Sequence, residues 1–243
     1  MSDALVIIPT YNEIENISAI LDEVMRLEDG FDVLIIDDGS PDGTADVVRK
    51  KQQEYEGRIH LECRSGKLGL GTAYIHGFKW ALAKGYDYML EMDADFSHNP
   101  QDVPSLYREC KRNGADMSIG SRYISGVNVV NWPMGRVLMS YFASAYVRLV
   151  TGTPLRDTTA GFVCYTRKVL ETINLDHIQF KVYAFQIEMK FKAFKSGFKI
   201  VEVPIIFINR RLGESKMNSS IFGEAMFGVI KLKLQSIFSR HWI

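Results

Sequence analysis

The chain has 243 residues and is 47% hydrophobic, enough apolar material for the core of one large α/β domain and too little for two equal ones. Lysine plus arginine equals aspartate plus glutamate at 29 each, so no global field draws the protein toward nucleic acid, and any anion recognition must be local. Three cysteines, Cys63, Cys110 and Cys164, lack C-x-x-C spacing, which argues against a zinc site and a disulfide framework and fits a reducing cytosol.

Met1 to Asp3 leads directly into strand-like Ala4–Ile8, so no signal peptide is expected. Leu5–Ile8, Val33–Ile36, Ile59–Glu62, Tyr88–Met92 and Met117–Ile119 predict strands. Between them, Ile14, Ile17, Leu21, Val24 and Leu27 mark one face of a helix, and Leu70, Tyr74, Phe78 and Leu82 mark another. This alternation is the pattern of βαβ units, and the expected fold class is α/β with a mostly parallel central sheet. Two loops, Pro9-Thr-Tyr-Asn-Glu13 and Asp37-Asp-Gly-Ser-Pro-Asp-Gly-Thr44, each follow a strand and precede a helix, where open α/β sheets bind ligands. Gly39, Pro41 and Gly43 are turn-formers in the second, and Thr44 is placed to cap the next helix.

After Ser121 the pattern changes to a Met- and aromatic-rich helix from about Trp132 to Val150, a short strand near Phe162–Tyr165, a helix over Ala184–Ser196 and strand-like Ile200–Phe207. The longest uncharged stretch in the middle, Val137–Val147, falls well short of the roughly 18 apolar residues of a spanning helix. Ile221, Phe222, Ala225, Met226, Val229, Ile230, Leu234 and Ile237 recur at helical spacing, with Lys231, Lys233 and Arg240 toward the end. Core packing and an interfacial helix lying on a bilayer are the two readings of that face. The chain divides into a domain over residues 1–204 and a C-terminal loop and amphipathic helix over 205–243.

The chemistry concentrates where strands end. Tyr88–Met92 runs into Asp93-Ala94-Asp95, two carboxylates able to share one cation. Hard oxygen ligands with only two protein charges suit Mg²⁺ or Mn²⁺ completed by water and substrate phosphates. A lone D-x-D is weak evidence, since two acids ending a strand also make a turn and a helix cap. What adds weight is order: Pro9–Glu13, Asp37–Thr44, Asp93–Asp95 and Gly120-Ser-Arg-Tyr123 each end a predicted strand.

Together with Arg210-x-x-Gly-Glu-Ser-Lys216, these loops resemble those of the dolichyl-phosphate (polyprenol-phosphate) mannosyltransferases, inverting GT-A glycosyltransferases with a Rossmann-like nucleotide-sugar fold. The resemblance spans nearly the whole chain. It implies donor contacts from Pro9, Tyr11, Asn12, Glu13, Ile36, Asp38, Asp93, Ala94, Asp95 and Arg122. It puts Arg210 and Lys216 on a mobile loop over the donor. The metal would sit on Asp93 and Asp95, with Ser97 at a third ligand position where the family often has Gln. Arg122, Arg136 and Ser140 would lie near the acceptor phosphate, so that Asp93, Asp95, Arg122 and Arg136 form the catalytic set. A surface ion pair for Arg122 and a polar helix-face position for Arg136 are the alternatives. Asp157-Thr-Thr-Ala-Gly-Phe162 matches another family stretch; an orienting role for Asp157 is favoured over that of a base.

The implied reaction moves mannose from GDP-mannose to a polyprenyl phosphate by single displacement with inversion. A phosphate monoester has a second pKa near 6, so its oxygen is already anionic at neutral pH and needs no base. The expected partners are a nucleotide sugar, a polyprenyl phosphate, a membrane surface and a membrane-protein subunit if one recruits the chain; nucleic acid is not among them. The expected location is peripheral, on the cytoplasmic face of a membrane. A UDP-hexose donor and a non-catalytic nucleotide-sugar-binding subunit are the competing readings.

Overall fold

A computed structural model describes residues 2–181, 183–209 and 220–238. The first strand, β1 (Ala4–Thr10), is an apolar run buried on both faces, which is what a central strand of a parallel sheet requires. It pairs in parallel with β2 (Asp32–Asp37) on one side and β4 (Tyr88–Glu91) on the other, while β3 (Ile59–Cys63) extends the sheet beyond β2. Helices α1 (Ile17–Met25), α2 (Thr44–Glu54) and α3 (Leu70–Lys84) make the crossovers. The strand order reverses at β1, so the loops after β1, β2 and β4 open around one crevice.

Further along come α4 (Val103–Lys111), β5 (Met117–Ser121), β6 (Val129–Val130), α5 (Met134–Thr151), β7 (Val163–Thr166), α6 (Arg167–Thr172), α7 (Tyr183–Lys195), β8 (Ile200–Pro204), β9 (Phe207–Ile208) and α8 (Ser220–Phe238). The large sheet has the order β3-β2-β1-β4-β7-β5-β8. β7 is antiparallel to both β4 and β5, so Phe162, just before it, lies at the edge where β4 and β5 end.

Side chains alternate across β1: Val6 and Ile8 join a core with Ile17, Leu21, Val24, Leu106 and Tyr107, and Leu5 and Ile7 join another with Tyr74, Phe78, Phe185 and Met189. Helices therefore cover both faces. α3 approaches the sheet closely, since a Cβ at Gly77 would lie 2.7 Å from Ile7 Cγ2, and α7 packs on α3 where a Cβ at Gly71 would meet the Phe185 ring at 2.8 Å.

Several expectations are corrected. α1 begins at Ile17, leaving Ile14 exposed in the preceding loop. α4, absent from the predicted elements, buries Val103, Leu106, Tyr107 and Cys110 at helical spacing after an Asn99-Pro100 start. The single strand expected over Ile200–Phe207 ends at Pro204, and the chain resumes as β9, which pairs in parallel with β6. Proline lacks the N–H a ladder needs. On α8, Val229 and Leu232 are buried, but Met226, Ile230, Leu234 and Ile237 are exposed, so core packing explains little of that helix's described face. Among the described residues no helix is long and apolar enough to cross a membrane.

Candidate active site

The first two loops are stapled together by short polar side chains. Asp37, buried at the end of β2, accepts hydrogen bonds from Thr10 Oγ1 (2.9 Å), Ser40 N (2.9 Å) and Ser40 Oγ (2.6 Å). Asn12, in the left-handed region at φ 56°, donates its N–H to Ser40 Oγ, and Glu13 N donates to Thr44 Oγ1. Thr44 is thus not the cap: Asp42 accepts the first N–H of α2, while the Thr44 hydroxyl ties the two loops. Pro9 and Ile36 are register partners beneath these loops. Asp38 N donates to Thr10 O, and its carboxylate pairs with Arg64 at 2.6 Å, both side chains nearly buried. Lys67 Nζ lies 5.3 Å from the centre of the Tyr11 ring. No sequence motif marks Arg64 or Lys67, though both sit just past β3 at the same sheet edge.

β4 ends at Glu91, and Asp93–Asp95 form the turn beyond it. Asp93 is more than a third exposed, whereas Asp95 is buried and accepts from Ser97 N at 3.0 Å. Phe96, between them, adopts φ 58°, an unusual conformation for an aromatic residue that marks a constrained turn. It brings Ser97, 2% exposed, beside Asp95 with its hydroxyl lacking a protein partner. An orphaned buried hydroxyl next to two carboxylates is a hard-oxygen donor set of the kind that Mg²⁺ or Mn²⁺ takes. Among the described residues no cluster of three or more His, Cys, Asp or Glu could hold a metal, so an ion here would rely on phosphate and water for its other ligands.

His98 holds this turn from behind. Its Nδ1 accepts the Asp93 N–H at 3.1 Å, which puts the ring proton on Nε2. Burial lowers its pKa to about 4, so the ring is neutral near pH 7. It stacks on Phe162 at 4.8 Å and meets the edge of Phe207 at 5.4 Å.

At the end of β5, Arg122 is 7% exposed and grips Asp157 through Nε (2.7 Å) and Nη2 (2.6 Å), while its backbone N also donates to Asp157 at 3.0 Å. The ion pair envisaged for Arg122 therefore exists but is buried. Burial pushes the Asp157 carboxyl up, and the Arg122 charge and hydrogen bonds outweigh it, holding the carboxyl below its ordinary range. Burial likewise lowers Arg122, and Asp157 more than reverses that. Arg136, half-buried on α5, donates from Nη1 to Asn209 Oδ1 at 3.1 Å and lies 4.0 Å over the Trp132 ring, whose centre is 5.6 Å from the Arg122 Cζ. Trp132 thereby links the two guanidiniums. Ser140, one turn after Arg136, faces the Tyr123 hydroxyl. Arg210 and Lys216 lie outside the described residues.

The model of glycosyl transferase family 2 matches residues 5–173. The chain belongs to this family. Within it, the chain is 44% identical over 236 residues to polyprenol monophosphomannose synthase of Mycolicibacterium smegmatis, covering 97% of this chain and 89% of the relative. It is 45% identical over 227 residues to undecaprenyl-phosphate mannosyltransferase of Micrococcus luteus, covering 93% and 92%. These identities place this glycosyltransferase among the polyprenol-phosphate mannosyltransferases, the family that its loops resemble. In fold it is similar to glucosyl-3-phosphoglycerate synthase from Mycobacterium tuberculosis in complex with Mn²⁺, UDP and glucosyl-3-phosphoglycerate. That likeness has a TM-score of 0.68 at 18% identity, covers 96% of this chain and 78% of the other, and establishes the GT-A fold.

The structure adds residues to the site that carry no motif of their own. Arg64 orients Asp38, His98 holds the Asp93 backbone, and Trp132 spans Arg122 and Arg136. Only partial signals existed: His98 lies inside the Asp95–His98 run, while the contacts of Arg64 and Trp132 are long-range.

Proposed function

We propose that this glycosyltransferase moves mannose from GDP-mannose to the phosphate of a polyprenyl phosphate at a membrane surface, using Mg²⁺ or Mn²⁺. The observation that carries this is one sheet edge holding both the Asp93–Ser97 turn and the Arg122–Trp132–Arg136 cluster. The first has the ligands for a metal on a donor diphosphate and the second has cations for a second phosphate. The polyprenol-phosphate mannosyltransferases it resembles support the choice of sugar and lipid.

In this reading Pro9, Tyr11, Asn12, Glu13, Ile36, Asp38 and Ala94 line the nucleotide pocket, and Asp93, Asp95 and Ser97 hold the cation. A bound divalent cation neutralises diphosphate charge and stabilises the leaving nucleotide. Arg136 and Ser140 receive the lipid phosphate, with Arg122 between donor and acceptor, and Arg210 and Lys216 close over the donor. The phosphate oxygen attacks the anomeric carbon as the bond to the nucleoside diphosphate breaks, with inversion. Asp157 is no base here: its carboxylate is committed to Arg122, and the nucleophile is already ionised. Residues 1–204 form the catalytic domain, and 205–243 supply the closing loop and the membrane-facing helix.

The surface supports a lipid acceptor. α5 carries Arg136 and Ser140 and exposes Met134, Phe142 and Leu149 at 63–85%, and α8 exposes Phe227 and Phe238 at 79% and 81%. Between the two helices runs an apolar groove of about 250 Å³ lined by Met139, Phe142, Tyr146, Ile187, Met226 and Val229. Exposed apolar surface of this kind is costly in water and fits the headgroup boundary of a bilayer, on the cytoplasmic face if the donor is cytosolic. The test is to incubate purified protein with polyprenyl phosphate in vesicles and a panel of GDP- and UDP-sugars, then identify lipid-linked products by mass. Mannose from GDP-mannose alone supports the assignment; preference for a UDP-hexose would replace the donor, and no product from any donor would favour a non-catalytic subunit.

A further inference from the structure

Behind the site lies a buried polar cluster with no part in the proposed chemistry. Lys190 on α7 is 1% exposed, and its Nζ donates to Ala160 O at 2.6 Å, to Gln186 Oε1 at 3.1 Å and to Gln186 O at 3.3 Å. Gln186, one turn earlier, donates from Nε2 to Glu91 Oε2 at 2.6 Å, and Glu91 is fully buried on β4. Burial pushes the Glu91 carboxyl up and the Lys190 ammonium down, and the attraction between them opposes both shifts. An ammonium in an apolar interior is expensive, and a methionine would fill the same space without that penalty.

What the cluster joins is informative. One arm reaches Glu91, two residues before Asp93 on the same chain segment. The other holds Ala160, in the segment that connects Asp157, the partner of Arg122, to Phe162, the platform of His98. Phe162 O also accepts the Gly120 N–H at 2.8 Å, two residues before Arg122. Gly161, in the middle, lies beside both, and an added Cβ would make ordinary contacts at 3.8 Å to His98 Cε1 and 3.9 Å to Gln186 Nε2. Lys190 also feels the charges of Asp157, Arg122 and Glu202. A single buried cation is therefore joined through Gln186 to the strand that leads to Asp93, and directly to the segment that carries Asp157, the partner of Arg122.

We propose that Lys190, acting through Gln186, is a positioning residue that fixes the spacing between the metal-binding turn at Asp93–Asp95 and the guanidinium of Arg122. This rests on the functional reading of those two sides. Groups that must meet two substrates in one geometry gain from such a lock, since misplacement by about 1 Å can cost on the order of 10²-fold in rate. A residue that merely filled the core would affect melting temperature and leave the kinetics of the folded fraction alone.

The experiment compares wild type, Lys190→Met and Gln186→Leu, each confirmed folded by thermal melting. It measures kcat and KM for donor and lipid, and Mn²⁺ affinity in the presence of GDP by paramagnetic resonance. Lys190→Met is expected to lower kcat at least tenfold with donor and lipid KM within about threefold, and to weaken Mn²⁺ binding several-fold. Gln186→Leu should give the same kcat-selective loss at smaller size, and it carries the test if Lys190→Met does not fold. Wild-type kcat and Mn²⁺ affinity in a folded variant would overturn the lock. A wild type that turns over no donor would instead overturn the functional reading beneath it.

Discussion

Arg122→Ala breaks a buried ion pair in the candidate active site. Arg122 and Asp157 have side-chain exposures of 9% and 0%, and the pair shares a bidentate contact. Removing the guanidinium leaves a carboxylate buried with only backbone and Thr159 donors nearby. Breaking a buried pair on one side costs about 3–5 kcal/mol. At roughly 2–4 °C per kcal/mol for a chain of this size, the melting temperature should fall by about 6–20 °C. Differential scanning calorimetry reads this directly. Replacing both partners, Arg122→Met with Asp157→Leu, removes the stranded charge and should recover most of the loss, while transferase activity stays absent because the cation is gone. The pH dependence has a definite sign. The folded-state carboxyl of Asp157 is held below its unfolded value near 3.9, so its contribution is present above that value and is lost as pH falls through the folded one. The double variant should therefore show a shallower loss of stability in acid. An Arg122→Ala protein melting within 2 °C of wild type, or a double variant no more stable than the single, would refute the reasoning.

Asp95→Ala should abolish turnover while far-UV circular dichroism stays unchanged; near-normal turnover would remove Asp95 from the metal site. Arg136→Ala deletes a charge-assisted phosphate contact of about 1.5–3 kcal/mol, so the KM for polyprenyl phosphate should rise roughly ten- to hundredfold with the donor KM little changed. Equal effects on both substrates would argue against its acceptor role. Phe227→Asp on α8 should weaken vesicle association by at least about tenfold, the loss of one buried aromatic, in a sedimentation assay; unchanged binding would place the bilayer elsewhere. Gly71→Ala drives a Cβ to 2.8 Å from the Phe185 ring and should destabilise by about 1–3 kcal/mol; a neutral result would mean that α7 can shift away from α3 at little cost.

The parallel half of the fold was legible because β1, β2 and β4 are buried runs alternating with amphipathic helices, and each ends in a polar loop at the same sheet edge. The insertion of antiparallel β7 between β4 and β5 was not, since strand pairing is long-range and Val163–Thr166 carries no mark of its neighbours. α4 is readable in principle from Asn99-Pro100 and its apolar spacing. Motif resemblance pointed to Asp93 and Asp95 just past β4, to Arg122 just past β5 and to Arg136 on α5, and β4 and β5 end at the same edge of the sheet. It said nothing of Lys190, Gln186 or Arg64, because a charged or amide residue on a helix or loop is ordinarily solvated, and only tertiary packing reveals the first two as buried and Arg64 as paired with Asp38. Thr44 shows the same limit in small: the residue type suited a cap, but Asp42 two residues earlier takes that bond and leaves the hydroxyl to tie the loops.

The most direct test of the account follows radiolabelled mannose from GDP-mannose into the lipid phase with polyprenyl phosphate vesicles, with and without chelator. A mannosyl phosphate lipid of inverted anomeric configuration is expected, lost on chelation and restored by Mg²⁺ or Mn²⁺. Product formation that persists without any divalent cation, or no mannosyl lipid from folded protein, would contradict it.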